Sequence, residues 1–314
     1  MESILENIKR NIPSYSDITA EQLKITKFTS ATNQVFKVEA PAKPSPIIYR
    51  VFGEVPLIPK EIERRSFMKV SASGLGPRCL GVESTFRIEE YIDGTALSRL
   101  ELSDYASQMA HEISEFHKIE RGYGESASSK LIKNWSNMFS SKINLYKDSL
   151  SLDRQRQLED LRFLTTPEGF NEVSQFFPKT DSLVFSHMDV SYQNILKSSE
   201  KLWIIDYEYT DLAYHAIDLA NYINERLFEY NVFPFEFHPE DEMSLATQHE
   251  FVEIYGEENG FVYEDLWNEV CGCRAVVNYL GALWAANMFK PQNEYFLDYA
   301  QIRFSQYQRF SNLY

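Results

Sequence analysis

Leu202-Trp203-Ile204-Ile205 is an apolar, strand-like run that ends on a carboxylate, Asp206. Before it comes a second run, Phe185-Ser186-His187-Met188-Asp189-Val190-Ser191-Tyr192-Gln193-Asn194-Ile195-Leu196, and the turn Lys197-Ser198-Ser199-Glu200-Lys201 joins the two. The pattern predicts a hairpin with polar groups at its open end. A carboxylate at the edge of an apolar strand is costly to bury unless a cation meets it. Any fold for this chain therefore has to bring positive charge to Asp206.

The same residues make a chemical set. Attack of a hydroxyl on a terminal phosphate needs one carboxylate to take the proton and other oxygens to hold Mg²⁺ against the phosphate. Asp189 stands two residues after His187, Asn194 follows five residues later, and Asp206 comes after the turn. Protein kinases present a base, a metal-holding Asn and a metal-holding Asp in this order. A His-Asp-Asn loop alone also fits a segment that caps its own backbone. Asp206 separates the two readings, and the chain reads as a kinase with Asp189 as base and Asn194 and Asp206 as metal ligands.

The pattern changes once along the chain. Leu23–Phe28, Val35–Val38, Ile47–Phe52 and Phe86–Ile92 read as strands, with one helix over Glu61–Ser71 stopped by Gly74-Leu75-Gly76-Pro77. After the turn at Asp93-Gly94 the periodicity is helical: Ala106, Met109, Ala110, Ile113 and Phe116 behind a cap at Ser103 or Asp104, then Leu266 through Met288. The expectation is an α+β, two-lobe protein. Residues 1–93 form a β-rich nucleotide lobe, and residues 94–314 form a mainly helical lobe for catalysis and acceptor binding.

On the nucleotide side Arg50 sits inside Ile47–Phe52, where an unpaired guanidinium is unfavourable. Nucleotide phosphates and Glu63 are its expected partners. The polar stretch Thr29–Gln34 lies where a loop would cover the phosphates, with Ser30, Thr32 and Asn33 as donors in place of glycine backbone. Glu90 and Ile92, at the lobe boundary, would offer backbone groups to an adenine edge.

Charge and cysteine narrow the class. Through Asp93 basic and acidic residues nearly balance, so the formal charge of −15 is carried by residues 94–314. That excess disfavours nucleic acid and favours a cationic substrate. Cys79, Cys271 and Cys273 are odd in number and set no disulfide framework. No apolar run reaches the ~18 residues of a membrane span, and Met1–Glu6 lacks the pattern of a signal peptide. A cytoplasmic protein is expected. The aromatic content is compatible with a homodimer but localises no face for one.

These motifs resemble the choline and ethanolamine kinases over nearly the whole chain. The resemblance is carried by Ile48–Gly53, by Leu75-Gly76-Pro77 with Ile88–Ile92, by Ser186–Leu196, by Ile205-Asp206-Tyr207-Glu208-Tyr209, by Asp218-Leu219-Ala220-Asn221 with Glu225, and by Leu283-Trp284 with Leu297–Phe304. It implies a protein-kinase-like fold and ATP- and Mg²⁺-dependent phosphorylation of an amino alcohol for phospholipid synthesis. It also implies that Glu208 lies beside the metal ligands and that Glu225, Tyr209, Trp284 and Tyr299 line the amine pocket. Choline is the first expectation for the acceptor and ethanolamine the second. An aminoglycoside-phosphotransferase-like kinase and a non-catalytic amine or nucleotide sensor come after these. Three positions depart from the family: Gly281 stands for a usual Trp, Ser191 for a usual Gln, and the phosphate loop has no glycine.

Overall fold

The computed structural model describes residues 2–28, 33–43, 45–53, 57–179 and 183–313. Ser30 and Thr32, expected to meet phosphate, lie outside the described residues. The chain divides into two compact units, Met1–Thr95 with Leu196–Tyr209, and Ala96–Ile195 with Thr210–Tyr314.

The first unit is built on an antiparallel sheet of five strands: β1 (Lys24–Phe28), β2 (Gln34–Glu39), β3 (Ile47–Val51), β4 (Cys79–Val82) and β5 (Phe86–Glu90), in the order β1-β2-β3-β5-β4. Alternation divides its two faces. Ile47 and Tyr49 of β3 and Phe86 and Ile88 of β5 share an apolar core with Leu5 and Ile8 of α1 (Glu2–Asn11). That helix carries Glu2 in its first turn and Lys9 and Arg10 in its last, a charge order that suits the helix dipole. On the opposite parity Arg50 pairs directly with Arg87, and Glu89 lies opposite Ile48. Two guanidiniums facing each other across a ladder repel, so this face must collect carboxylates.

Helix α2 (Lys60–Ser73) supplies one of them. Its buried stripe is Glu63, Ser66, Phe67 and Val70, and Gly74 closes it with φ 78° in the left-handed region that glycine tolerates. Sequence periodicity located β1, β2, β3, β5 and α2 but missed α1 and β4. After β6 (Thr95–Ala96) the chain leaves the unit, and it returns through β8 (Ile195–Lys197) and β9 (Leu202–Ile204). This return corrects the continuous division expected at residue 93. Tyr207 is buried, its hydroxyl donating to Ile204 O at 2.6 Å, and a Cβ on Gly76 would stand 2.3 Å from that hydroxyl. Asp206 is bonded to Arg50, so residues 196–209 belong to the sheet unit energetically.

The second unit is helical: α3 (Ala106–His117), α4 (Ala127–Tyr146), α5 (Leu152–Asp160), α6 (Pro167–Ser174), α7 (His215–Glu225), α8 (Leu245–Asn259), α9 (Tyr263–Met288) and α10 (Tyr295–Ser311). Every residue of α7 is buried, and α9 is buried over most of its length. A helix that is apolar or paired all round belongs at the centre of its unit. Strand β7 (Leu183–Ser186) pairs antiparallel with β10 (Asp211–Tyr214), and β11 (Phe228–Glu229) pairs with β12 (Glu236–Phe237). The expected cap of α3 at Ser103 or Asp104 is corrected: Tyr105 precedes the helix and no side chain caps it. Among the described residues no helix is long and apolar enough to cross a membrane.

Candidate active site

In the first unit the sheet's charged face forms one buried network. The Arg50 guanidinium, 5% exposed, donates from Nη1 to Asp206 Oδ1 at 2.9 Å and from Nε to Glu89 Oε1 at 3.4 Å. Arg87 is fully buried; its Nη1 donates to Glu63 Oε1 at 2.8 Å and its Nε to Glu89 Oε2 at 3.2 Å, above the Phe67 ring at 4.3 Å. The direct partner of Glu63 is therefore Arg87, not Arg50 as expected. The reason is parity: Arg50 and Arg87 face each other, and the helix carboxylate meets the second. Burial pushes the Glu63 carboxyl up, against the pull of Arg87 and Arg50.

Asn33 lies among these groups rather than free in a loop. Its Nδ2 donates to Glu63 Oε1 at 3.3 Å and to Glu208 Oε2 at 3.4 Å, while its Oδ1 accepts from Gly53 N at 3.0 Å. Glu208 and Tyr209 line a crevice with Asn33, Gly53, Lys60 and Glu63. Asp206 has φ 67°, a left-handed backbone uncommon outside glycine and a mark of a constrained functional position. Glu63, Glu89, Asp206 and Glu208 oppose two guanidiniums, an excess of oxygen-borne negative charge that suits a hard divalent cation. Asp206 and Glu208 carry oxygens of the hard kind that Mg²⁺ takes. At the sheet end Glu90 N donates to Arg78 O at 2.9 Å, and Ile92 lies just past β5, where the chain leaves the ladder.

In the second unit the loop after β7 is held by one carboxylate. Asp218 of α7 is fully buried and accepts from His187 N and Met188 N, both at 2.7 Å, and from Ser186 Oγ and His117 Nε2, both at 2.9 Å. Burial alone would push its carboxyl up, but the hydrogen bond and charge of His117, with His187, outweigh burial and hold it below the usual range. His117 Nδ1 meets Tyr255 Oη at 2.7 Å, which fixes the ring from its other side. Binding two successive amides bends the loop, and Met188 takes φ 65°. Asp189 follows, half-exposed, and Asn194 Nδ2 donates to its Oδ2 at 2.8 Å and to its carbonyl at 3.0 Å. Asp189 and Asn194 are thus brought together, with the Asn194 amide oriented by the Asp189 carboxylate.

The loop continues into an aromatic box. Tyr192, fully buried, stacks on Tyr230 with ring centroids 5.7 Å apart, accepts from Tyr230 N at 2.7 Å and donates to Glu229 Oε1 at 2.9 Å. Tyr230 Oη donates to Glu225 Oε2 at 2.7 Å and meets Tyr299 Oη at 2.8 Å. Phe235 packs edge-on against Tyr299 at 5.2 Å, and Trp284 does so at 6.4 Å. Burial pushes the Tyr299 phenol up to about 12, with Arg303 pulling the other way. Glu225, Trp284 and Tyr299 are therefore neighbours, as expected, while Tyr209 is described with Glu208 in the first unit. Sequence reasoning missed Tyr230, Phe235, Arg87 and the anchoring role of Asp218. For Asp218 the signal was present, a carboxylate inside the all-buried pattern His215–Glu225.

The family described as choline/ethanolamine kinase matches residues 25–308. A curated relative named probable choline kinase 2, from Arabidopsis thaliana, is 29% identical over 226 residues, 68% of this chain and 62% of the relative. A probable ethanolamine kinase from the same organism is 24% identical over 305 residues, 88% of this chain and 76% of the relative. The chain thus spans less than two thirds of the first relative's length. Among solved structures, choline kinase from Cryptosporidium parvum superposes with a TM-score of 0.80 at 22% identity, covering 99% of this chain and 95% of that one. The fold is accordingly the protein-kinase-like one.

Proposed function

Since the chain belongs to the choline/ethanolamine kinase family, we propose that it transfers the γ-phosphoryl group of ATP to the hydroxyl of choline, forming phosphocholine. The observation that carries the reading is the continuity of base and box. Asp189 lies three residues before Tyr192, whose ring stacks on Tyr230 of the box. An alcohol whose cationic end rests among the rings has its hydroxyl within one short loop of the carboxylate. Asp189 takes the hydroxyl proton as attack proceeds, and the Asn194 amide keeps the carboxylate aimed.

Asn194, Asp206 and Glu208 are the proposed ligands of Mg²⁺, which when bound neutralises charge on the transferring phosphoryl group. Arg50 and Arg87 supply positive charge on the nucleotide side. A cytoplasmic location belongs to the same proposal and is supported by the free thiols Cys79, Cys271 and Cys273.

Choline is favoured because the box offers ring faces while both oxygens of Glu225 are already engaged. A quaternary ammonium needs faces and no acceptors, each contact being worth about 0.5–2 kcal/mol. Two observations favour ethanolamine as a second reading. Gly281 leaves one wall without an aromatic side chain. Asn221 Oδ1 is buried without a hydrogen-bond partner among the described residues, and a primary ammonium could donate to it. Competition of the two amines at equal concentration in a phosphoryl-transfer assay tests the choice; a strong preference for ethanolamine rejects choline. Replacement Asp189→Asn tests the chemistry. Turnover is expected to fall by about 10²–10⁴ with ATP binding retained, and an unchanged turnover would remove Asp189 as the base.

A further inference from the structure

The box already holds a cation. Arg303, on α10 and 4% exposed, reaches Glu225 Oε1 from Nη2 at 2.5 Å, and the same nitrogen donates to Tyr230 Oη at 2.7 Å. Its Nε donates to Tyr299 Oη at 2.7 Å and its Nη1 to Asn278 Oδ1 at 3.2 Å. The guanidinium carbon stands 3.7 Å from the centre of the Phe228 ring. Glu225 and Arg303 are each bonded to protein on every side that matters, and their charges cancel inside a buried space. Burial works against the charged guanidinium, but Glu225 and the tyrosines around it outweigh burial and push its pKa up.

Gly281 lies against the Arg303 stem. A Cβ at that position would lie 3.0 Å from Arg303 Cδ and 3.1 Å from Nε. Both atoms belong to the part of the side chain that its hydrogen bonds hold in place. A side chain on residue 281 would make the Arg303 stem give by a few tenths of an ångström.

From these contacts we infer that Arg303 is a resident counter-cation of the acceptor box, so that the box selects its alcohol by ring contact and shape rather than by net charge. The inference rests on the proposed reading of this box as the acceptor site. A free carboxylate beside a cationic substrate would separate it from an uncharged copy by several hundredfold at an effective dielectric of about 20. With the carboxylate compensated, only the ring contribution remains, about two- to thirtyfold for each ring face in contact. Glu225 here serves to orient Tyr230 and Arg303, and through them Tyr299.

The test uses choline and dimethylbutanol, its uncharged carbon isostere, which keeps the hydroxyl that is phosphorylated. For the unaltered protein with MgATP, kcat/KM for choline is expected to exceed that for the isostere by about two- to thirtyfold per ring contact and by less than about a thousandfold in all. Arg303→Gln uncovers Glu225 and is expected to widen that ratio at least tenfold. Gly281→Ala, which only crowds the Arg303 stem by a few tenths of an ångström, is expected to widen it much less. A ratio above about a thousandfold in the unaltered protein overturns the inference while leaving the kinase reading intact. An unchanged ratio in folded Arg303→Gln protein does the same. Should Arg303→Gln fail to fold, the ratio in the unaltered protein decides. Phosphoryl transfer to neither choline nor ethanolamine overturns the proposed function, and this inference with it.

Discussion

Replacing Asp218 by Asn removes one charge and turns one acceptor oxygen into a donor, in a place where four donors converge. Oδ1 serves Ser186 Oγ and Met188 N, and Oδ2 serves His117 Nε2 and His187 N. Whichever oxygen becomes the amide nitrogen, a hydroxyl or an imidazole can adjust, by rotation or by tautomer, but one backbone N–H cannot. That amide loses its partner in a fully buried site, at about 1–3 kcal/mol. The remaining bonds fall from charge-assisted to neutral strength, about 1 kcal/mol each. Relief from burying a charge offsets part of this, and the net loss is about 3 kcal/mol.

Function should fall further than stability implies. Met188 is held at φ 65° by the two amide bonds to Asp218, a conformation that costs about 1–3 kcal/mol to maintain. Once an amide is released, the loop relaxes and carries Asp189 with it; a displacement near 1 Å is expected to lower kcat about a hundredfold. Urea denaturation gives the stability change from the midpoint at constant slope, and phosphoryl transfer is measured well below the transition. A variant within about 1 kcal/mol of the unaltered protein and with full turnover would refute the claim that this carboxylate shapes the catalytic loop.

Asp218 also sets an acid limit. Its folded carboxyl titrates below the unfolded value, so its contribution is complete above the ordinary Asp range and is lost as pH falls through the lowered folded value; stability measured by urea from pH 6 downward should fall there, and less in Asp218→Asn. Arg87→Met leaves Glu63 and Glu89 short of a buried cation, with an expected loss of about 3–5 kcal/mol, and Arg87→Lys should recover only part because one ammonium cannot span both carboxylates. Thermal and urea unfolding read both variants. Burial, with Lys290 nearby, pushes the Lys142 ammonium down to about 8. The unfolded chain then holds that proton more tightly, so stability should rise from about pH 8 towards the ordinary lysine range, and the rise should vanish in Lys142→Met.

Much of the site was legible because its chemistry is local. Asp189 and Asn194 lie in one loop, and a carboxamide five residues from a carboxylate can turn back on it without any help from distant parts of the chain. The strand reading of Ile47–Phe52 was legible too, and with it the need of Arg50 for anions. Which anions was not. Arg87 lies 37 positions away, and its place opposite Arg50 depends on a strand register that no local pattern prints. Helices α4, α5, α6, α7, α8 and α10 were not individually located; in α7 every residue is buried, so no polar face marks its period.

Short-range spacing by itself determined the class of chemistry, the change from strand to helix periodicity and the family likeness, since each is written within a few turns or a few strand residues. Only the tertiary structure decided that Glu63 belongs to Arg87, that residues 196–209 return to the sheet, and that Arg303 lies against Glu225. These are pairings of charge across dozens or hundreds of residues. Burial forces every such charge to find a partner, but packing chooses which one.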